Sequence, residues 1–265
     1  MKIPLPATYA HYRFGAQMLK RMPADMRPTA NCHRRMYDVG LHGPDLFFFY
    51  KPVRSTQIGR LGNKYHRQTG KVFFSRVCRN LRMEPGEAGK AYLYGVLCHY
   101  VLDACCHPLV ERYSWESIAS HSRVETEFDR FLMERDGIHP LKDMRLTGHM
   151  KLTQEEAGIV SRFYPGTEAK HVLDSLKGMR GIRKALELPE GPVRSLVIKT
   201  MSAGSEVFRD MVITDQPDAV CREMDAPLFE RYRRAEILFP EMLQQLRDHL
   251  AHHAPLGAEF DAIFG

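Results

Sequence analysis

Apolar residues recur at the three- and four-residue spacing of α-helices along most of the chain. The alternation of apolar and polar residues that is typical of strands is scarce. We therefore predict an all-α fold, with a helical domain over residues 1–150 and a helical C-terminal extension, residues 151–265, packed on it. The predicted helices lie within residues 9–22, 29–37, 55–83, 87–107, 121–134, 154–164, 168–186, 192–213 and 226–253.

One segment of this pattern is almost entirely apolar, yet it carries three polar side chains. It reads GVLCHYVLDACCHP, and its polar residues are His99, Asp103 and His107. The segment predicts a helix that is buried around most of its circumference, and Pro108 predicts that this helix ends at about His107. Because burial of an unpaired charge or imidazole is costly, the three side chains should have partners.

Histidine and carboxylate residues four positions apart occur twice. His99 precedes Asp103 on the predicted buried helix, and His121 precedes Glu125 on the next one. Residues at this spacing project from the same helix face and can hold one metal ion together. Imidazole and carboxylate ligands without a thiolate motif suit Zn²⁺ best, with Fe, Mn or Co as alternatives. A single pair of this kind is also common on solvent-exposed helices, where it binds nothing.

Further candidates lie upstream of the buried helix. His11 lies on the first predicted helix, Asp45 follows a Gly-Pro turn, and His66 lies in the sequence GNKYHRQ. His42 directly precedes GPD, and exposure in a loop is the simpler explanation for it. A lone histidine is more often a structural residue than a ligand, so none of these positions predicts a site by itself.

These motifs occur in a defined order: HYRFG with His11, GPDLFFFY with Asp45, then His66, HYVLDACCHP and HSRVE. In that order and spacing, over residues 8–130, they resemble the bacterial zinc-dependent phospholipase C family. That family is related in fold to the fungal single-strand nucleases that use three zinc ions. The resemblance implies a multi-helix phospholipase C/nuclease-like domain at residues 1–150, followed by extra C-terminal helices.

The resemblance also implies three metal sites. The ligands of the first site are His107, His121 and Glu125. Those of the second are His66, His99 and Asp103, with Asp45 beside them as a ligand, as the general base, or as both. Asp103 would bridge to a third ion that His11 also holds. Secreted family members complete this third site with an N-terminal tryptophan where this sequence has Met1 and Lys2, so we expect two or three zinc ions.

Metal ions grouped in this way support hydrolysis of phosphate esters, because they acidify bound water and bind the oxygens of the ester. The resemblance implies a phosphoric ester hydrolase of the phospholipase C type, in which metal-activated water attacks a phosphodiester and Asp45 orients or deprotonates that water. A nuclease or nucleotidase could use the same metals and would stack a base on aromatic side chains. A non-enzymatic helical protein with a structural metal cluster is the remaining alternative.

Charge is unevenly distributed along the chain. Residues 1–90 contain 17 Lys or Arg against 5 Asp or Glu, whereas the remainder contains 21 against 27. A basic N-terminal third attracts anions, so the expected partners are a phosphate-ester substrate, phospholipid or nucleotide, and an anionic membrane surface. The aromatic run FFFY at residues 47–50 could contact lipid, although core packing is the commoner role. The basic residues around it and His66 are Arg54, Arg60, Lys64, Arg67 and Lys71.

Three further features bear on location. The N-terminal residues lack the apolar run of a signal peptide. The apolar segment at residues 91–106 is shorter than the about 20 residues of a membrane span, and it contains His and Asp. Six cysteines without a CxxC motif fit reduced thiols. We therefore expect a cytoplasmic protein without a transmembrane helix.

Overall fold

The computed structural model of the chain is built almost entirely from helices. Among the residues that it describes there is no β-sheet, only an isolated antiparallel bridge between Thr69 and Ile263. The predicted all-α fold is confirmed. The described residues are 8–52, 56–84, 86–116, 118–141, 143, 147–188, 191–203, 206–214 and 216–265. The expectations for Met1, Lys2 and Arg54 lie outside them.

Several helices begin at a side chain that caps them. Thr69, Ser120 and Thr153 each accept a hydrogen bond from the backbone N–H of the third helical residue. The helices are α1 (Tyr9–Arg21), α2 (Arg27–Cys32), α3 (Arg34–Gly40), α4 (Gln57–His66), α5 (Gly70–Met83), α6 (Glu87–Trp115), α7 (His121–Arg135), α8 (Gln154–Ser161), α9 (Ala169–Leu186), α10 (Pro192–Ala203), α11 (Glu206–Asp210) and α12 (Ala219–His252). Short 3₁₀-helices cover Gly43–Phe49 and Ala258–Asp261.

Helix α6 lies at the centre of the fold. It packs against α1, α2, α3, α5, α7, α8 and α12. By length and composition α6 alone among the described helices could cross a membrane, yet 83% of its most apolar window is buried inside the protein. Its apolar residues lie on all sides of the helix, as expected for a helix surrounded by others.

A tight contact between α3 and α6 brings Asp45 to the centre of the molecule. A Cβ atom on Gly95 of α6 would overlap the carbonyl oxygen of Tyr37, so glycine is needed for α3 to lie this close. The chain then turns at Gly43, whose φ of +47° favours glycine. The Gly43–Phe49 helix starts at this turn, and it places Asp45 beside α6.

Helix α6 does not end at His107, so the predicted boundary there is wrong. The helix continues through Pro108 to Trp115. Proline removes a helical hydrogen bond and crowds the preceding turn. The residues after it, such as Leu109, are buried against the rest of the protein, and this packing offsets the local cost.

Two other predicted helices are divided. The backbone of His33, with φ of −110° and ψ of 44°, is not helical, so residues 29–37 belong to α2 and α3 rather than to one helix. Residues 192–213 likewise contain two helices, α10 and α11. The region 55–83, for which one or two helices were expected, contains two. The positions of such breaks depend on how the helices pack, which the local spacing of apolar residues does not predict.

The C-terminal half packs directly on the elements that carry the candidate ligands. Helix α12 lies against α5, α6 and α7, and α9 lies against the 3₁₀-helix that contains Asp45. After α12 the chain returns to α5 and α6 as residues 256–265, here called the C-terminal strap. Tyr100 of α6 donates its hydroxyl to the carbonyl oxygens of Glu259 and Ala262 in the strap. The division of the chain at residue 150 stays a prediction.

Candidate metal centre

Three polar side chains of α6 surround one point inside the protein. His99, Asp103 and His107 follow one another at four-residue intervals, and His99 and Asp103 are fully buried. His99 Nε2 lies 3.0 Å from Asp103 Oδ2, and His107 Nε2 lies 3.5 Å from Asp103 Oδ1. A single carboxylate therefore serves two imidazoles of the same helix.

Helix α1 adds a third imidazole to the same carboxylate. His11 Nε2 lies 3.3 Å from Asp103 Oδ1. The His11 ring also stacks on the His99 ring, with centroids 4.5 Å apart. Asp103 thus has three imidazole nitrogens within 3.5 Å, which places it where a bridging ligand would be needed.

A second carboxylate–imidazole pair comes from the Gly43–Phe49 helix and α4. Asp45 Oδ1 lies 2.7 Å from His66 Nε2, and Asp45 Oδ2 lies 4.0 Å from His99 Nδ1. The other ring nitrogen of His66, Nδ1, lies 2.8 Å from the carbonyl oxygen of Gly62. Because a carbonyl oxygen only accepts hydrogen bonds, Nδ1 carries a proton, and in neutral His66 the lone pair of Nε2 faces the centre.

The remaining candidates lie where α6 and α7 meet. Ser120 caps α7, so its first residue, His121, and Glu125 one turn later face α6. His121 Nε2 lies 3.1 Å from Glu125 Oε1, and His107 Nε2 lies 3.3 Å from the same oxygen. Glu125 therefore joins α7 to the stripe of polar residues on α6.

All eight predicted site residues lie in this connected cluster. Three sets of three offer ligand atoms within 4.8 Å of one another: His11, Asp45 and His99; His66, His99 and Asp103; His107, His121 and Glu125. The first two sets are buried, and the third is partly exposed. We call the buried residues His11, Asp45, His66, His99 and Asp103 the inner group, and His107, His121 and Glu125 the outer group.

Buried nitrogen and oxygen atoms of the inner group lack hydrogen-bond partners. They are His11 Nδ1, His99 Nδ1, His99 Nε2 and Asp103 Oδ2. Although His99 Nε2 and Asp103 Oδ2 are 3.0 Å apart, they are not aligned as a hydrogen bond. An unsatisfied buried polar atom costs about 1–3 kcal/mol. A cation held between them would satisfy both atoms, and imidazole nitrogen with carboxylate oxygen suits zinc, so these residues fit a metal site.

Protonation within the cluster follows the neighbours of each group. Burial disfavours the charged imidazole of His107, but the carboxylates of Asp103 and Glu125 outweigh it and raise the pKa of His107 to about 10. Burial would raise the pKa of Asp103, yet the imidazoles around it lower that pKa. At His11 burial prevails, and its pKa is lowered. A metal ion that binds His107 must therefore displace a proton.

Comparison with known protein families identifies the family of the chain. A model of the zinc-dependent phospholipase C family matches residues 10–176 of the chain. The chain belongs to this family. Comparisons with curated proteins and with solved structures found no match. The matched region contains all eight clustered residues and extends past residue 150 into α9.

Asp129 was not among the predicted site residues, yet its contacts help to position the candidate centre. Its buried carboxylate lies one turn after Glu125 on α7 and accepts three hydrogen bonds from the start of α1. The donors are the backbone N–H groups of Thr8, Tyr9 and Ala10, at 2.8 to 2.9 Å. Asp129 thus caps α1 from another helix and sets the position of His11. The four-residue spacing in HSRVETEFD was the available signal.

A cavity of about 130 Å³ opens onto the outer group. Gly265 of the C-terminal strap forms part of its wall, and a Cβ atom there would overlap the His107 ring. No local sequence signal could have identified this contact, because it depends on the path of the chain after α12. The cavity is lined by Asp45, Phe48, Asn63, His66, His107, Glu111, His121, Glu125 and Gly265.

Two expectations about the Gly-Pro-Asp region have different outcomes. His42 is buried rather than exposed in a loop, so that explanation is wrong; its Nε2 lies 2.9 Å from Nε2 of His149. Burial lowers the pKa of His149 to about 4 and that of His42 well below the usual value. The aromatic residues Phe47–Phe49 are buried, which confirms core packing.

Proposed function

We propose that the protein is a zinc-dependent phosphodiester hydrolase of the phospholipase C type. The supporting observation is the convergence of five imidazoles and three carboxylates beside a cavity, with inner ligand atoms that lack hydrogen-bond partners. The inner and outer groups would hold two or three zinc ions. Because imidazole and carboxylate ligands also suit Fe, Mn and Co, the metal identity is part of what must be measured.

Asp45 is the residue that we expect to move a proton. Bound metal ions supply an acidified water and offset negative charge that develops on the phosphate oxygens. Oδ1 of Asp45 lies 2.7 Å from His66 Nε2, with whose lone pair it would share a metal ion, so Oδ2 is the atom available to accept the proton of the attacking water. The hydrogen bond from His66 Nδ1 to the Gly62 carbonyl fixes the imidazole and therefore the side on which Asp45 and His66 would hold that ion.

The size of the cavity favours a substrate that is only partly enclosed. Its volume, about 130 Å³, is below the roughly 300–1,000 Å³ of pockets that enclose whole drug-sized ligands. A phosphate with a small substituent would enter, while the rest of the ester stayed outside. Helix α4 contributes Asn63 and His66 to the wall, and the exposed Lys64 beside them adds positive charge for the phosphate.

The nuclease or nucleotidase alternative needs an aromatic face on which a base can stack. Phe48, the aromatic side chain of the cavity wall, is buried and stacks on His66 with centroids 5.0 Å apart, so its face is already covered. A structural metal cluster would close its ligand shell, whereas the outer group borders a cavity. The first observation disfavours the nuclease or nucleotidase, and the second favours a catalytic over a structural metal cluster.

Zinc content and hydrolysis should be measured on the same preparation. Reconstituted protein should contain two or three equivalents of zinc and hydrolyse bis(p-nitrophenyl) phosphate and phosphatidylcholine, and a chelator should abolish both activities. Asp45→Asn should lower kcat by at least about 10²-fold while retaining most of the zinc, because the amide oxygen replaces a carboxylate oxygen. Asp38→Asn, a buried aspartate paired with Arg34 outside the cluster, is the matched control.

Three results would contradict the proposal in different ways. Less than one equivalent of zinc after reconstitution would refute the metal assignment. Hydrolysis of nucleotides or oligonucleotides without phospholipid hydrolysis would support the nuclease alternative. Loaded protein that cleaves no phosphate ester would indicate a structural cluster.

A cytoplasmic location is a separate proposal. All six cysteines are free thiols in the structure, and the adjacent pair Cys105 and Cys106 is buried. Free thiols suit a reducing compartment. Fractionation of cells that express the chain at its natural level tests this location, and recovery of the protein outside the cytoplasm would contradict it.

A further inference from the structure

The aromatic run that could have contacted lipid lies in the core, but another aromatic residue near the candidate centre is exposed. Trp115, at the end of α6, is 91% exposed, and it is the only tryptophan of the chain. Tryptophan buries a large apolar surface when it is in contact. A side chain of this kind left in water beside a catalytic cavity indicates a surface that another molecule covers.

Trp115 lies two turns of α6 beyond the outer-group residue His107. On α6, His107 belongs to the outer group, Glu111 one turn later lines the cavity, and Trp115 is one further turn along. The rise of an α-helix puts Trp115 about 12 Å beyond His107 along the axis. The chain then turns into α7, which starts with the outer-group residue His121. Within this turn Ile118 is 42% exposed.

The side of the cavity that α4 forms carries positive charge. Helix α4 supplies Asn63 and His66 to the cavity wall, and its sequence QIGRLGNKYH contains no acidic residue. Basic side chains on α4 and directly after it are exposed: Arg60, Lys64 and Arg67. The wall of the cavity is therefore formed in part by a basic helix, α4, and in part by the segment of α6 that leads to the exposed Trp115.

This combination matches the interface of a phospholipid bilayer. Basic side chains attract phosphate headgroups, and tryptophan prefers the level between headgroups and acyl chains. Single-stranded nucleic acid would also accept basic residues and a stacking ring. The aliphatic side chain of Ile118 cannot stack on a nucleic-acid base, but its burial against lipid is favourable. The zinc-dependent phospholipase C family match points to the same partner.

We propose that Trp115 and Ile118 form a lipid-contact surface that inserts into the headgroup region of a phospholipid bilayer and holds the candidate centre at the membrane. This inference rests on the proposed function, because it assigns a phospholipid surface to the same site. It also explains the small cavity: the acyl chains of the substrate stay in the bilayer while the phosphate reaches the outer group.

Fluorescence of Trp115 gives a direct test, since no other tryptophan contributes. Zinc-loaded protein is titrated with phosphatidylcholine vesicles, with and without an anionic lipid. We expect a blue shift of the emission and quenching by lipids that are brominated on the acyl chains. Unchanged emission and unchanged quenching would overturn the inference.

Cosedimentation with the same vesicles tests the surface by substitution. Trp115→Ser should weaken partition into vesicles by about tenfold, and Trp115→Phe should restore most of it. Ile237→Ser is the matched control, because Ile237 is 79% exposed on α12 and does not line the cavity. Exposed substitutions of this kind leave folding nearly unchanged. Equal partition of wild type and Trp115→Ser would refute the lipid-contact surface.

Two mixed outcomes separate this inference from the proposed function. Vesicle binding that depends on Trp115 without phospholipid hydrolysis would support the surface and contradict the proposed activity. Phospholipid hydrolysis with vesicle binding that is independent of Trp115 would support the proposed activity and contradict the lipid-contact surface. Quenching of Trp115 by single-stranded oligonucleotides but not by vesicles would overturn the inference in favour of a nucleic-acid surface.

Discussion

The inner and outer groups contain the same kinds of side chain in different surroundings. Inner residues are buried, and both ring nitrogens of His99 lack hydrogen-bond partners. The outer residues are partly exposed, and His107 and His121 both direct Nε2 at Glu125. Apart from the buried His107 Nδ1, which also lacks a hydrogen-bond partner, water and mutual contacts can therefore satisfy the outer group without an ion, whereas desolvated atoms of the inner group have no such substitute.

Because of this difference, ions of the same element would have different roles in the inner and outer groups. An ion in the inner group would offset the cost of buried ligand atoms, so its binding energy would contribute to folding. An ion in the outer group would contribute less to stability and would border the cavity in which the ester is expected. Substitutions in one group at a time should therefore change zinc content, stability and activity to different extents.

The largest effect is expected from Asp103→Ala. Asp103 contacts three imidazoles, so its loss should remove more than one equivalent of zinc and lower kcat/KM by at least about 10³-fold. Loss of a buried charge partner also costs about 3–5 kcal/mol of folding free energy. Zinc analysis, phosphodiester hydrolysis and urea unfolding measure the three quantities.

Asp38→Ala is the control for Asp103→Ala. Asp38 is also buried, but it pairs with Arg34 and contacts no member of the inner group. It should retain the zinc content of the wild type. A full complement of zinc in Asp103→Ala would show that Asp103 is not a bridging ligand and would break the distinction between the groups.

His121→Ala should have a smaller and more selective effect. We expect the loss of one equivalent of zinc, a decrease of kcat/KM by at least about 10²-fold, and a stability change below about 1 kcal/mol, since His121 is partly exposed. Zinc analysis and thermal unfolding should thus separate activity from stability. Loss of all zinc from this variant would mean that the two groups are one cooperative site.

Much of the candidate centre could be predicted from local sequence. The pairs His99–Asp103 and His121–Glu125 depend only on helical spacing, so the helix and its ligand face could be predicted together. His11, Asp45 and His66 lie on other elements, and only the order of motifs joined them to the pairs. Which of the eight would be buried was not predictable, because burial depends on how the helices pack.

The errors have physical causes. Pro108 disfavours a helix locally, but packing of the following residues carries α6 on to Trp115, and the position of the lipid-contact surface depends on that extension. Gly265 reaches the cavity only because the strap folds back over α5 and α6. Asp129 follows Glu125 by four residues on α7, so its position on the same helix face could be predicted. Its role could not, because its partners are backbone N–H groups, which nearly every residue has.

Asp129→Asn tests how α1 is attached to the inner group. An asparagine amide supplies one acceptor oxygen where the carboxylate supplies two, so the change should cost about 2–3 kcal/mol in urea unfolding and weaken the zinc that His11 helps to hold. Asp136→Asn is the matched control, because Asp136 also joins α7 to α1 through Tyr9 and Arg13, but at the surface. It should cost less than about 1 kcal/mol. Equal effects of the two variants would contradict a special role for Asp129.

The smallest effect is expected from the histidine pair beside the inner group. Burial lowers the pKa of His149 to about 4 from an unfolded value of 6.5. The unfolded chain therefore binds a proton as the pH falls through 6.5, while the folded protein does not until about pH 4. This contribution to stability is fully present above pH 6.5 and is lost as the pH falls towards 4.

His149→Gln should accordingly reduce the drop in Tm between pH 7 and pH 5 by about 2–4 °C. His171→Gln, which changes a half-buried helix-cap histidine, should leave the drop unchanged. Identical pH profiles for wild type and His149→Gln would show that acid sensitivity arises elsewhere, with Glu125 of the outer group as the next residue to substitute.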